Sequence, residues 1–430
     1  MNKIADVLVV GSGMAGLVAA LSAAQQGCSV RLLSAGMGSL AICGGTIDLL
    51  GYVQGTAIAD PWQGMTLLPE GHPYRLLGVD NVRLAMDSLR KTLEDHGWPM
   101  HPAIIDGHDG NTRLPTIMGT LKPTWLLPPG IEPQTLVSAK NILVLSVETL
   151  RDCRPGLIIG QLKRYPEWTD RQFTPALLPS PFGEAHRSIS ALDLARLADR
   201  PQTRNWLLDN LAQFAGNYDL ILLPPLCGSR ADLALQQQLS AIAKCPVIEM
   251  LSIPPGVGGL RLRDVLLRAM KECGCTFIEN ATALHAEVHD GCCTALQVNA
   301  SGEVERQTAN AFVMATGGIL GGGITMTPGM VQETVFGIDI PAPQDVGQWS
   351  EQEVFGNHLF SHMGIRVDSA MRPVGHEATP LWQNVFFAGR TIGGYDYAAE
   401  KSGLGVAIAT GWQAGRMAAR AALEMNGKQQ

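Results

Sequence analysis

The sequence predicts an α/β protein: a discontinuous domain around a parallel sheet, residues 1–69 and 251–430, with a second α/β domain, residues 70–250, inserted into it. Three observations carry this. The chain opens with strand, glycine turn, helix and strand in about 30 residues, the size of one βαβ unit. Its last third returns to short apolar strands that run into glycine. The middle has strand runs and proline stops of its own.

Ala5–Val10 is a short run rich in β-branched residues, as in a buried parallel strand. Gly11–Gly16 makes the turn. Leu17–Gln26 is alanine-rich and helical, ended by Gly27, and Ser29–Leu33 is the second strand. Residues 36–55 read as glycine-rich loop. Val79–His96 has helical spacing, with Leu84, Leu89 and Leu93 as its apolar face. Proline and glycine density over 97–135 predicts a compact irregular region. Asn141–Val147 is a strand and Leu192–Leu197 part of a helix. Tyr218–Leu223 is a strand closed by Pro224-Pro225, and Val247–Ile253 repeats the form before Pro254-Pro255-Gly256. Arg261–Cys273 is an amphipathic helix. Thr276–Glu279, Ala283–His289, Thr294–Asn299 and Ala311–Ala315 are short strands joined by tight turns such as His289-Asp290-Gly291, a small meander that returns to the parallel sheet. A strand at Asn384–Ala388, a glycine-rich loop and a helix from Gly403 to Met425 close the chain.

Composition narrows the function. A chain of 430 residues, 46% hydrophobic and 17% charged, is globular and large enough for two or three folding units. Thirty-two basic against 39 acidic residues give a net charge of -7 without a basic stripe, which argues against nucleic acid as a partner. No internal repeat is present. The nine cysteines include no CxxC; Cys273 and Cys275, and Cys292 and Cys293, lack metal spacing, so neither zinc nor an iron–sulfur cluster is expected and the thiols read as reduced. Met1–Ala24 is apolar, but Asp6 and Gly11-Ser12-Gly13 break the run, so no signal peptide is expected. No apolar run is long enough to span a bilayer, so the protein is expected to be soluble or held at a membrane by something else.

Three glycine segments carry the chemistry. Gly11-Ser12-Gly13-Met14-Ala15-Gly16 follows a strand and opens a helix: the first glycine permits the turn, the second lets a pyrophosphate approach, and the third lets helix and strand pack. The helix start adds unpaired N–H groups and a positive dipole end. Standing alone, such a pattern is also an ordinary glycine-rich turn. A dinucleotide site places an acid at the end of the second strand; that position is Ser34, expected to give a weaker hydrogen bond, which leaves the adenosine half poorly held or absent. Ala315-Thr316-Gly317-Gly318 ends an apolar strand, as the second signature of two-dinucleotide-binding flavoproteins does. Val385-Phe386-Phe387-Ala388-Gly389, then Gly403-Leu404-Gly405, put a late strand and a glycine-opened helix where such proteins cradle the ribityl chain and ring, the helix start facing the N1–C2=O edge. Where an acid commonly follows Ala-Gly stands Arg390, which reads either as a partner for phosphate or anionic flavin or as a surface salt bridge. Three loops in this order predict a Rossmann-like two-dinucleotide-binding flavoprotein fold with an inserted α/β domain. Nicotinamide alone would not need the late loop.

The chain resembles the B-subunit family of anaerobic glycerol-3-phosphate dehydrogenase nearly end to end. The resemblance rests on Gly44-Gly45-Thr46-Ile47-Asp48-Leu49-Leu50, His72-Pro73-Tyr74, Leu114-Pro115, Gly119-Thr120-Leu121, Thr124-Trp125-Leu126, Pro254-Pro255 with Gly259-Leu260-Arg261-Leu262, Met371-Arg372-Pro373, Phe387-Ala388-Gly389 and Gly393-Gly394-Tyr395-Asp396. It implies a three-part complex in which the partners are a larger flavoprotein subunit, which would be the A member, together with a membrane-attached iron–sulfur subunit, the C member. This chain would then be peripheral on the cytoplasmic face of the inner membrane. It implies FMN, with FAD as the alternative that the pyrophosphate-type turn favours, and adds Gly44, Gly45 and Thr46 to the cofactor loops. It implies oxidation of sn-glycerol 3-phosphate to dihydroxyacetone phosphate, with electrons passed to the quinone pool in fumarate or nitrate respiration. Arg390 and the thin glycine run Gly403-Leu404-Gly405 depart from the family pattern at the ring edge.

Substrate phosphate calls for arginine: Arg372 and Arg390 are the candidates, with Arg261 and Arg263 read as structural. His72, His358, His362 and His376 lie beside the loop motifs and none is singled out as the base, so the catalytic residue stays open, as does the subunit that hosts the substrate. Two other readings stand beside this one. A free-standing FAD oxidoreductase of the fumarate reductase or succinate dehydrogenase type would show a histidine for covalent flavin before the second glycine loop, where Ala41-Ile42-Cys43 stand. A non-catalytic flavoprotein-like scaffold would explain the missing acids at Ser34 and Arg390.

Overall fold

The computed structural model describes residues 4–105, 107–182, 188–354 and 356–428. In chain order the elements that matter are β1 (Ala5–Val10), α1 (Met14–Ala24), β2 (Val30–Ser34), α2 (Pro73–Leu77), α3 (Val79–Asp95), β3 (Asn141–Val147), β4 (Gln172–Leu178), β5 (Leu220–Leu223), β6 (Val247–Glu249), α4 (Val257–Glu272), β7 (Thr276–Glu279), β8 (Ala281–His289), β9 (Cys292–Ala300), β10 (Glu303–Met314), β11 (Ile324–Thr327), β12 (Met330–Glu333), β13 (Val385–Phe387) and α5 (Gly403–Lys428). They form two compact units, Met1–Gly38 with Asp48–Thr92 and Leu266–Gln430, and Ser39–Ile47 with Leu93–Val265. The division therefore falls inside α3 and α4, where the periodicity of one helix cannot show which core its two ends join. It also places Ser39–Ile47 in the second unit.

In the first unit the sheet runs β7-β2-β1-β10-β9-β8, with β13 also on β10. β1, β2, β7, β10 and β13 pair in parallel, β8 and β9 antiparallel. β10 serves both halves: Glu303–Thr308 pairs with β9, and Ala309–Met314 with β1 in the register Ala309 to Ala5 and Met314 to Val10. Only its apolar end is legible in sequence, because Glu303–Arg306 is exposed and carries no alternating pattern. Val7, Leu8 and Val9 are fully buried, the continuous apolar run of a parallel strand covered on both faces. α1 is buried along ten of its 11 residues and packs on α5. A Cβ on Gly411 would stand 2.4 Å from the Ala15 carbonyl oxygen, and one on Gly415 2.2 Å from that of Ala19, so the two helices meet backbone to backbone.

On α3 the buried face is Val82, Ala85, Met86, Leu89 and Leu93; Leu84, expected inward, is 53% exposed. Helical spacing admits both positions, and packing selects between them.

The second unit holds a four-stranded parallel sheet in the order β4-β3-β5-β6, an order of the doubly wound kind. Its core is Ile142–Leu145 and Leu220–Leu223, covered from the helices by residues such as Ile158, Leu194, Leu211 and Leu239. β4 is an edge strand with Pro175 and several exposed positions, which hid it from a reading based on apolar runs. The stretch 97–135 forms short antiparallel pairs, such as Thr112–Pro115 with Leu121–Thr124.

Candidate functional site

Parallel register brings the C-terminal ends of β1, β2, β10 and β13 to one edge of the sheet, where open α/β sheets bind ligands. The glycine segments leave from that edge. Gly11 N–H donates to the Leu33 carbonyl at 2.8 Å, and Ala315 N–H to the Val10 carbonyl at 2.8 Å. Gly11 has φ +107°, open to glycine only, and a Cβ on Gly16 would stand 1.7 Å from the Gly11 carbonyl oxygen. The turn thus closes tightly enough to aim the start of α1 along the sheet edge.

At that start Gly13 is the N-cap without a side-chain cap, and no acid lies in the first turn. Among the described residues nothing accepts from the N–H groups of Met14, Ala15 or Gly16, although Met14 and Gly16 are buried. Unaccepted buried N–H groups at the positive end of an 11-residue helix make a cradle for an anionic ligand such as a pyrophosphate. A flavin nucleotide's phosphates fit it.

The adenosine end is different. Ser34 is 4% exposed, and its hydroxyl lies 2.6 Å from Ser12 Oγ, which donates to Gly36 O at 2.7 Å. Ser34 is therefore engaged inside the protein. The turn that follows brings Gly38 against Gly13, with a Cβ on Gly38 at 3.1 Å from Gly13 Cα.

The second and third segments interlock. Thr391 Oγ1 donates to Gly317 O at 3.2 Å and lies 3.4 Å from Thr316 Oγ1. Gly318 backs onto the Arg390 backbone. Ala388 N–H reaches Met314 O, and Gly389 N–H reaches Thr410 Oγ1 on α5 at 2.9 Å. At the start of α5, nothing among the described residues accepts from Gly403 or Leu404 N–H, while Gly405 N–H donates to Asp48 O. Beneath it Ser402 Oγ donates to Glu400, whose Oε2 lies 3.1 Å from His72 Nε2, and His72 Nδ1 accepts from Tyr74 N–H. That acceptor role leaves the proton on Nε2, so His72 is a buried tie for the loop. Gly44, Gly45 and Thr46 belong to the second unit, where Gly45 packs on Gly258 and Thr46 Oγ1 accepts from Lys122.

Of the other candidates, Arg372 already has an anionic partner, Asp368 at 2.8 Å, the acid four residues upstream. Arg261 pairs with Glu249 in the second unit. Against the cost of burial, its charge and hydrogen bonds hold the Glu249 carboxyl below its ordinary value. His358 is engaged by Ser350 and Val354, and His376 is exposed. His362 makes no ring hydrogen bond among the described residues and lines a cleft of about 570 Å³ with Gly71, Gly364, Arg366, Gly393 and Gly394. That cleft shares Met363 and Ile392 with a smaller cavity lined by Gly318, Ser361, Arg390, Tyr395 and Tyr397. Tyr395 escaped residue-by-residue reading; its one signal is the loop motif Gly393-Gly394-Tyr395-Asp396.

A further acid lies in the hairpin after the second segment. Burial pushes the Glu333 carboxyl up to about 7, only partly offset by the Phe336 and Val335 N–H groups that donate to it. No group of three or more His, Cys, Asp or Glu among the described residues is placed to hold a metal, and the nine cysteines are free thiols.

Comparison with known proteins adds four findings. Residues 6–406 match the family described as FAD binding domain. The probable B-subunit of an anaerobic glycerol-3-phosphate dehydrogenase from Halobacterium salinarum is 31% identical over 97% of this chain and 98% of its own. The B-subunit of the anaerobic glycerol-3-phosphate dehydrogenase of Vibrio vulnificus is 29% identical over 94% of each chain. Among solved structures, the open conformation of a flavocytochrome c3 fumarate reductase is 12% identical, with a TM-score of 0.46 over 98% of this chain and 79% of that one. The matching family description names FAD, against the FMN expected from the resemblance; a cradle of the pyrophosphate type is what the larger cofactor requires.

Proposed function

Because the chain belongs to the FAD binding domain family and, within it, to the B-subunit family of anaerobic glycerol-3-phosphate dehydrogenase, we propose that it is the FAD-carrying B-subunit of such an enzyme. The observation that carries this is the meeting of three glycine segments at one sheet edge, beside the unaccepted N–H groups of Met14, Ala15 and Gly16. These groups and the Ala388-Gly389 turn would hold the phosphates, and the start of α5 would face the ring. FAD supplies, when bound, a two-electron acceptor for the C2 hydride of sn-glycerol 3-phosphate that can pass electrons on singly. The chain's own residues do the rest. The cleft holds the three-carbon substrate, and His362, whose ring lines that cleft without a hydrogen-bond partner among the described residues, takes the proton of the C2 hydroxyl as dihydroxyacetone phosphate forms.

No helix among the described residues is long and apolar enough to cross a membrane, and no cysteine spacing signals a cluster. The onward electron route therefore runs through other chains: the larger flavoprotein of the complex, then an iron–sulfur subunit that attaches the complex to the cytoplasmic face of the inner membrane and feeds the quinone pool. The test is the visible spectrum of the purified chain, the identity of the flavin released on acid treatment, and bleaching on addition of sn-glycerol 3-phosphate with its partners present. Bound FAD that bleaches is the expected result. A protein that stays colourless when flavin is offered would leave the scaffold reading, which the inward-turned Ser34 favours.

A further inference from the structure

Arg390 is a half-buried cation without an anion. Its guanidinium carbon lies 3.4 Å from the centre of the Tyr397 ring, and among the described residues no carboxylate pairs with it and nothing accepts from it. Stacking fixes the plane of the fork without using its donors. Tyr395, in the same cavity wall, is 2% exposed, and its hydroxyl has no hydrogen-bond partner among the described residues. A buried hydroxyl left unmade is costly, and such groups usually mark a missing ligand or water. Burial raises its ionisation well above the ordinary value, so it remains a donor. The nearby acids are turned to other partners: Asp396 accepts from Ala398 and Ala399 N–H and from Ser361, and Glu400 from Ser402 and His72. The cavity is thus lined by a preorganised cation and a buried spare donor, with apolar Ile319, Phe360 and Met363 around them.

Resting on the reading of a phosphorylated substrate, we propose that Arg390 and Tyr395 form the subsite for its phosphomonoester group. The cavity shares Met363 and Ile392 with the cleft of His362, so a substrate phosphate seated at Arg390 would lie beside that cleft. The phosphates of the flavin have their own cradle at α1.

The experiment titrates the flavin-loaded full-length protein by calorimetry with sn-glycerol 3-phosphate, inorganic phosphate and glycerol. The two phosphates are expected to compete, with glycerol bound far more weakly. Arg390→Met should weaken both phosphates about 30-fold and Tyr395→Phe about fivefold, the scale of a charged and a neutral hydrogen bond. Arg372→Gln should change neither by more than about twofold, and flavin content should stay constant throughout. Unchanged phosphate affinity in both Arg390→Met and Tyr395→Phe overturns the subsite; if the first does not fold, the second, which keeps the ring, decides. Oxidation of glycerol phosphate undisturbed by either variant removes the subsite and leaves the enzyme assignment standing. Phosphate bound through Arg390 without such oxidation keeps the subsite and removes that substrate.

Discussion

Gly13 and Gly16 share one turn and answer different questions. Gly16 packs so closely on the Gly11 carbonyl that Gly16→Ala cannot be accommodated without moving the turn; it should cost about 3 kcal/mol of stability and lose the flavin with the fold. Gly13 has extended backbone, and its Cβ direction meets only Gly38 Cα, at 3.9 Å. Gly13→Val should therefore cost under about 1 kcal/mol yet abolish flavin absorbance, because the side chain fills the approach to the α1 cradle. Melting temperature and visible spectrum together separate the two, and a folded, yellow Gly13→Val protein would remove the cradle from the site. Glu333 gives a pH prediction. Its pKa is raised by burial from 4.5 to about 7, so the native state holds a proton that the unfolded chain loses earlier. Stability from this group is present below pH 4.5 and declines as pH rises to about 7. Glu333→Gln should match the wild type at pH 5 and exceed it by about 1–3 kcal/mol at pH 8 in denaturant titrations. An equal stability difference at both pH values would sink this. At this scale the sequence located the glycines but not the partners: Arg372 and Arg390 look alike until Asp368 is found bonded to one and a ring stacked under the other.

Helices α1 and α5 carry the packing that makes the site. Their contact runs through Ala15, Ala19, Gly411 and Gly415, and α5 offers Thr410 Oγ1 as the acceptor for Gly389 N–H. Gly415→Leu should destabilise the protein by about 2 kcal/mol, read from its denaturation midpoint, through forced separation of the two helices; a neutral result would show the contact to be loose. The start of α5 at Gly403 was legible from glycine spacing, whereas α1 begins at Met14, inside the stretch read as turn. The mutual contact of the two helices was not legible, since nearly 400 positions separate the partners and small residues give no apolar stripe. β10 shows the same limit: its apolar half reads as a strand, while the polar half that ties the meander to the sheet is invisible to pattern.

For the whole molecule, the two units should respond differently to cofactor. The α1 cradle, the interlocked loops and α5 lie in the first unit, so FAD at 100 times its dissociation constant should stabilise that unit by about 2.7 kcal/mol. The second unit, with its own sheet and core, should melt unshifted, and calorimetric scans with and without FAD check this. A rise common to both would mean that they unfold as one. The sequence by itself determined the fold class, the flavin-type motifs and most parallel strands, because local periodicity and glycine spacing encode what the backbone must do nearby. Only the tertiary structure decided which charges are free, which hydroxyls face inward and to which unit Gly44, Gly45 and Thr46 belong. Those properties depend on neighbours brought together by folding, and a linear pattern holds no record of them.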